Sequence, residues 1–206
     1  SQKIPFEVEE SLALGPQLQF DYPIEDTPTF EVTQIRDPKI APNCTALAFT
    51  ALDRLYVMDL KTKKTQRLTA FNHVEAQPTW SPNSQEIAFV SWDKNATGQL
   101  YKVRADGKGK PVLLTTKSAV YTTPVWHKSN RIVLFEGARQ QFQNATGPNA
   151  FMSKTQLVWV DAQKGGNTHF ISKARSLSHP HFIDGDDRIY LNHSDKGLVS
   201  IRWDGT

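Results

Sequence analysis

Short apolar stretches punctuated by Pro, Gly and Asn run through the chain, and they recur in a fixed order. A window from Asp37 to Phe49 returns from Gln77 to Phe89, from Thr123 to Phe135 and from His179 to Leu191. The four windows align without a gap. Pro holds the second place (Pro38, Pro78, Pro124, Pro180), a large apolar residue the fourth (Ile40, Trp80, Trp126, Phe182), and Phe or Leu the last. A second apolar window follows each first one, at Leu55–Asp59, Leu100–Arg104, Leu157–Asp161 and Leu198–Arg202. Turn residues come next: Lys61-Thr62-Lys63, Asp106-Gly107, Gly165-Gly166 and Asp204-Gly205. In the first three repeats a third short stretch closes the unit, at Arg67–Thr69, Val112–Thr115 and His169–Ser172.

The recurring prolines stand 40, 46 and 56 residues apart. Several short strands in a unit of about 40–50 residues is the spacing of a β-propeller blade. Helical repeats of similar length do not fit. The stretches are short, rich in Val, Ile, Phe and Tyr, and show no sustained helical period. The pattern predicts an all-β, partial propeller of about four blades, each a four-stranded antiparallel sheet. Inner strands covered on both faces should be apolar throughout, as Ile87–Val90 and Ile132–Phe135 are. The next strand alternates more (Leu100, Tyr101, Lys102, Val103), which suits a place nearer the rim. Trp80, Trp126 and Phe182 are expected to wedge between blades, each burial contributing about 1.5–3 kcal/mol. The repeated Pro is expected as a strand's first residue, where no ladder donor is needed.

The expected units are residues 33–72, 73–118, 119–172 and 173–206, the last incomplete. Residues 1–32 form an N-terminal segment in which Phe30-Glu31-Val32 reads as a ring-closing strand. Residues 136–156 read as an insertion in the third repeat; loops of that length are uncommon unless functional or disordered, and a binding or contact role is the alternative to a plain loop.

Composition changes this picture little. Hydrophobic residues make up 38% and charged residues 22%, ordinary values for a globular chain. A net charge of +3 is far from a nucleic-acid signature. The lysines cluster at Lys61, Lys63, Lys64 and at Lys108, Lys110, both in expected turns, and read as solvated loop charge with a phosphate-binding strip as the alternative. The one cysteine, Cys44, can form no internal disulfide and has no zinc spacing. No apolar run is long enough for a membrane span.

Candidate chemistry is sparse. His179-Pro180-His181 places two histidines at strand spacing that puts alternate residues on one face, yet they occupy the ordinary blade entry held elsewhere by Gln77 and Thr79. Asp184-Gly185-Asp186-Asp187 resembles a calcium loop but fills the shared turn, where Asp and Gly are expected anyway. Asn-x-Ser/Thr triplets begin at Asn43, Asn95, Asn144 and Asn192, all in expected turns or loops. There is no Gly-x-Ser-x-Gly elbow and no phosphate-binding glycine loop. No residue is assigned to catalysis, to a cofactor or to a metal.

Gln77-Pro78-Thr79-Trp80-Ser81-Pro82-Asn83-Ser84, followed by Ile87-Ala88-Phe89, resembles the blade signature of TolB-type propellers, with Ser-Pro-Asn-Ser in place of the usual Ser-Pro-Asp-Gly. A narrower series resembles bacterial proteins in which such a propeller precedes a metal-dependent amidohydrolase barrel. It comprises Leu14-Gly15-Pro16, Phe20–Ile24, Gln34–Pro38 and Ala51–Leu60. That resemblance implies a non-catalytic propeller portion of a hydrolase acting on C–N bonds, with the active site and any divalent metal outside this chain. The alternatives are a protein-binding propeller of a periplasmic TolB-like protein and, more weakly, the propeller cap of a prolyl-oligopeptidase-type peptidase. The implied partner is a catalytic domain of the same parent chain or a separate protein. Nucleic acid and membrane spans are not expected. Self-association is expected, because the fourth repeat ends before its closing strand and leaves apolar faces uncovered. A periplasmic or secreted location is the expectation, with no signal peptide visible and the cytoplasm left open.

Overall fold

The computed structural model describes residues 7–12, 15, 27–93, 97–137 and 155–206, and divides into units Ser1–Glu31 and Val32–Thr206. In the first unit Glu7–Leu12 is exposed and the Thr27 hydroxyl donates to the Thr29 carbonyl at 2.6 Å. Phe30, Glu31 and Val32 lie in no strand, unlike the expectation for them, and Phe30 is exposed. A strand exists only with a ladder partner, and none is formed here. Leu14, Pro16, Phe20–Ile24, Asn95, Asn144 and insertion residues 138–154 lie outside the described residues.

The second unit is built of antiparallel sheets in which each strand pairs with its sequence neighbour. The first sheet comprises β1 (Arg36–Ile40), β2 (Ala46–Ala51), β3 (Arg54–Asp59) and β4 (Thr65–Arg67). The second comprises β5 (Val74–Trp80), β6 (Glu86–Asp93), β7 (Thr97–Arg104) and β8 (Val112–Leu113). The third comprises β9 (Val120–Trp126), β10 (Arg131–Gly137), β11 (Thr155–Asp161) and β12 (His169–Lys173), and the fourth β13 (Leu177–His181), β14 (Ile189–His193) and β15 (Gly197–Ile201). This is a four-blade β-propeller, all β, with three strands in the fourth blade among the described residues.

Three clusters join successive blades, because each sheet carries apolar side chains on both faces. Ile87, Phe89 and Val103 of the second blade pack on Ala41, Ala48, Leu55 and Leu68 of the first. Ile132, Leu134, Val158 and Val160 pack on Ala88, Val90, Leu100 and Leu114. Ile189 and Leu191 pack on Val133, Phe135, Leu157 and Ile171. Trp80 and Trp126 are buried at these seams, as packing residues should be.

Two details correct the sequence reading. The windows do not align without a gap, because the third turn is one residue shorter. The amide of Ser81 bonds to the Glu86 carbonyl and that of Ala41 to Ala46, but that of His127 bonds to Arg131. Leu134, not Phe135, therefore takes the seam position of Phe89. Nor does the repeated Pro begin a strand. It lies inside β1, β5, β9 and β13, next to a register slip in each ladder. The residue before it takes the left-handed conformation every time, with φ of 50° at Asp37, 53° at Gln77, 48° at Thr123 and 52° at His179. A bulge takes one residue out of the ladder, so a residue without an N–H is tolerated there.

The rim turns show why glycine recurs. A Cβ on Gly205 would lie 2.3 Å from the Ile171 carbonyl oxygen, and one on Gly165 would lie 3.1 Å from that of Leu114. Each turn sits on the outermost strand of the preceding blade, and glycine permits that approach.

The β2–β3 turn carries avoidable strain. Leu52 and Asp53 hold φ of 50° and 58° between the paired residues Ala51 and Arg54. A two-residue hairpin of this kind favours Asn-Gly, and left-handed L-residues cost about 1–2 kcal/mol each. Replacing Leu52-Asp53 by Asn-Gly is expected to raise stability by about 1 kcal/mol. An unchanged or lower urea midpoint would show that the turn is not strained.

Candidate functional site

The bulges form a row across the inner strands. At the second and third bulges the freed backbone amide is accepted by the side chain of the preceding bulge. The Gln77 amide donates to Asp37 Oδ2 at 3.2 Å, and the Thr123 amide donates to Gln77 Oε1 at 2.7 Å. The relay ends at Thr123, whose buried hydroxyl has no partner among the described residues. Beside the first two bulges lies a polar groove of about 440 Å³, lined by Arg36, Asp37, Asp53, Glu75 and Gln77 among others. Glu75 is 1% exposed. Its carboxylate accepts the Leu55 amide at 2.7 Å and the Thr69 hydroxyl. At the next seam Thr115 Oγ1 alone accepts the matching amide, that of Leu100, at 3.1 Å. Glu75 is thus spent on holding two blades together, and the groove's acidic character comes from Asp37 and Asp53.

A second cluster closes the seam between the third and fourth blades. Arg131 lies between the rings of Trp159 and Trp203, at 4.6 and 4.9 Å. His127 is buried against Phe182 and Trp203. Its Nδ1 accepts the Ser129 amide at 3.2 Å, so the neutral ring carries its proton on Nε2. Nε2 lies 3.4 Å from Asp187 Oδ1 but without hydrogen-bond geometry, so the contact is a loose one. Burial holds the His127 pKa below the ordinary imidazole value, Asp187 opposes this, and Lys128 and Arg131 reinforce it. The sign follows. The unfolded chain takes up this proton first, so the contribution is complete above about pH 6.5 and is lost as pH falls from there through the folded-state pKa. The urea midpoint of the wild type should drop from pH 7.5 to pH 5 more than that of His127→Gln. Equal drops would remove His127 from the account.

The outer face of the first blade is different in kind. Leu47, Phe49, Tyr56 and Met58 occupy there the positions that Ile87, Phe89, Tyr101 and Val103 occupy on the second blade. Phe49 and Tyr56 stack at 5.8 Å and 19°, as Phe89 and Tyr101 do at 6.0 Å and 20°. The second pair is covered by the first blade. The first pair floors a slot of about 290 Å³ walled by Val32, Ile35, Ala51, Leu52 and Thr65. Ile35 and Leu52 are more than half exposed.

The motifs singled out in the sequence are absorbed elsewhere. His179 Nδ1 meets Ser178 Oγ at 3.0 Å, and His181 Nδ1 meets the His179 carbonyl at 3.0 Å. The bulge at His179 interrupts the alternation that would place both rings on one face. Asp186 accepts the Arg188 amide at 3.1 Å and the Tyr190 hydroxyl at 2.5 Å, which holds its pKa below the usual carboxylate range. The Asn43 side chain accepts the amide and hydroxyl of Thr45, closing a turn, and Asn192 lies within β14. Among the described residues no group of His, Cys, Asp and Glu is arranged to hold a metal ion, and no helix is long and apolar enough to cross a membrane. Sequence reasoning missed Glu75, the bulge row and the slot. The recurring residue-Pro pair was the one available signal for the bulges.

Residues 30–159 match the family profile of the TolB β-propeller domain. Among solved structures, TolB from Acinetobacter baumannii is 19% identical with a TM-score of 0.61, over 84% of this chain and 41% of that one. A protein from Agrobacterium tumefaciens assigned to TolB is 15% identical with a TM-score of 0.65, over 84% of this chain and 60% of that one. The tricorn protease is 10% identical with a TM-score of 0.55, over 81% of this chain and 21% of that one. The chain thus spans about two fifths to three fifths of the two TolB structures, and these likenesses concern the fold.

Proposed function

Because this chain belongs to the TolB β-propeller domain family, we propose that it is a protein-binding propeller unit working in the periplasm. The observation that carries this reading is the family match over residues 30–159. The geometry agrees with it. Buried or bonded polar groups such as Glu75, His127 and Asp186 are engaged in seams and turns. A propeller serves such a role well, since its blades are rigid and its surface loops are free to vary.

A second reading keeps the propeller as the non-catalytic portion of a metal-dependent amidohydrolase. It is supported by the sequence series from Leu14 to Leu60 alone, and the metal and the reaction would lie outside this chain. Cross-linking of the propeller to proteins of a periplasmic fraction, with the parent protein assayed beside it for amide hydrolysis, separates the two. One saturable, stoichiometric partner supports the binding reading. Metal-dependent C–N hydrolysis by the parent, with no such partner, replaces it with the second.

A further inference from the structure

The three seams are not held in the same way. Across the first, Trp80 Nε1 donates to the Lys39 carbonyl at 2.8 Å, the Leu55 amide to Glu75 at 2.7 Å and the Asn43 amide to Ser84 Oγ at 3.1 Å. Across the second, the Thr123 amide donates to Gln77 at 2.7 Å, the Trp126 amide to Thr79 Oγ1 at 3.3 Å and the Gly166 amide to the Leu114 carbonyl at 2.9 Å. Among the described residues no hydrogen bond joins β9–β12 to β13–β15. The wedge place of the fourth blade holds Phe182, which has no ring N–H to reach across as Trp80 does. Trp203 Nε1 donates at 2.8 Å to the Asp187 carbonyl of its own blade. The third seam therefore rests on apolar and ring contacts, and His127 lies inside them.

The His127 ring lies 4.4 Å from Phe182 and 5.2 Å from Trp203, both of the fourth blade. Nε2 already carries a proton, so a second must go to Nδ1, which then ceases to accept the Ser129 amide that orients the ring. The surroundings compensate an imidazolium poorly. Lys128 on its own turn and Arg131 on β10 are cations, and Arg131 already occupies the face of Trp203. Arg202, next to Trp203 in the chain, is another. From the fourth blade Asp187 faces the ring, but its side chain is 71% exposed and water screens it. The other nearby charges are engaged: Asp186 with Tyr190, Arg188 with Ser200, Asp204 with Thr206, and Asp161 with the amides of Gln163 and Lys164. Burying an unpaired charge is costly, and contact with ring faces returns only part of the cost.

We infer that the seam between the third and fourth blades is the joint at which the propeller opens in acid, with His127 as its catch. Uptake of a proton on the buried imidazole parts Phe182 and Trp203 from the third blade, while the hydrogen-bonded first and second seams stay closed. Histidine suits this role because its ordinary pKa lies just below neutrality. The inference goes beyond the protein-binding reading and does not depend on it. Its consequence is regulatory: in acid the two blades no longer present the joint surface that they present near neutrality.

The test is hydrogen exchange of the 206-residue chain, read segment by segment by mass spectrometry at pH 7.5 and pH 5 and corrected for the intrinsic pH dependence of exchange. Protection of β13 and β14 should fall about threefold or more between the two pH values, while that of β2 and β6 holds. About thirtyfold is the ceiling, since one imidazole with an open-state pKa near 6.5 can shift the opening no further over that interval. Two variants accompany the wild type. His127→Gln carries the same fourth blade and can accept the Ser129 amide through Oε1, so the difference from wild type reports the imidazole alone, and the acid response should vanish. Asp187→Asn, at an exposed position, removes the carboxylate that favours the imidazolium and should enlarge the response. An equal response in wild type and His127→Gln overturns the inference. So does a response spread evenly over β2, β6 and β14, which would be a global loss of stability. A smaller response in Asp187→Asn also overturns it, because the imidazolium and Asp187 would then be holding the seam shut.

Discussion

Trp80→Ala is expected to destabilise the propeller by about 3–5 kcal/mol, the cost of removing a large aromatic from a packed interior. The Trp80 ring is 7% exposed and fills the seam between the first two blades with Ala41, Leu55 and Leu68. Its Nε1 also donates to the Lys39 carbonyl of the neighbouring blade at 2.8 Å. Trp80→Phe separates the two contributions. It keeps most of the ring and forfeits the hydrogen bond, so its cost should be nearer 1–2 kcal/mol, the usual worth of one bond plus a small cavity (about). Because blades touch only their neighbours, the loss should be local. Hydrogen exchange should quicken in β2 and β6 well before β14. Uniform acceleration across all blades would show that the seams act as one cooperative unit, and a cost near zero would mean the seam closes over the gap.

Glu75→Ala should be of similar size, about 3–5 kcal/mol, for a different reason. Nothing large is emptied. Instead the buried Leu55 amide and Thr69 hydroxyl lose their shared acceptor. A buried donor left without a partner costs about 1–3 kcal/mol, and a bond to a charged acceptor is worth more than a neutral one. Glu75→Gln keeps one acceptor oxygen and turns an amide N–H₂ toward the other donor, so it should lose about half as much. The comparison of the two variants by urea unfolding is the check. If Gln costs as much as Ala, the charge itself holds the seam. If neither costs more than about 1 kcal/mol, water replaces the carboxylate and the seam is wetter than its burial indicates.

How much of this was legible in the sequence depends on the range of the interaction concerned. Strand content, repeat length and the aromatic wedge positions at Trp80 and Trp126 follow from local pattern, because a strand covered on both faces must be apolar and a tight turn favours Asn, Asp or Gly. The family resemblance carried by residues 77–89 points the same way and agrees with the profile match over residues 30–159. The one-residue shortening of the third turn escaped pattern reading. Phe135 sits where the repeat puts Phe89, and only the bond from His127 to Arg131 shows that Leu134 faces the seam.

The candidate site was less legible still. Nothing local marks Glu75 as buried, since its acceptors' donors come from Leu55 and Thr69 on another blade. The sequence by itself determined what each blade is: its strands, its turns and its apolar faces, all set by interactions a few residues long. Tertiary structure alone decided what each blade touches, and therefore which side chains meet at a seam, because that depends on contacts between residues some forty positions apart, such as Lys39 and Trp80.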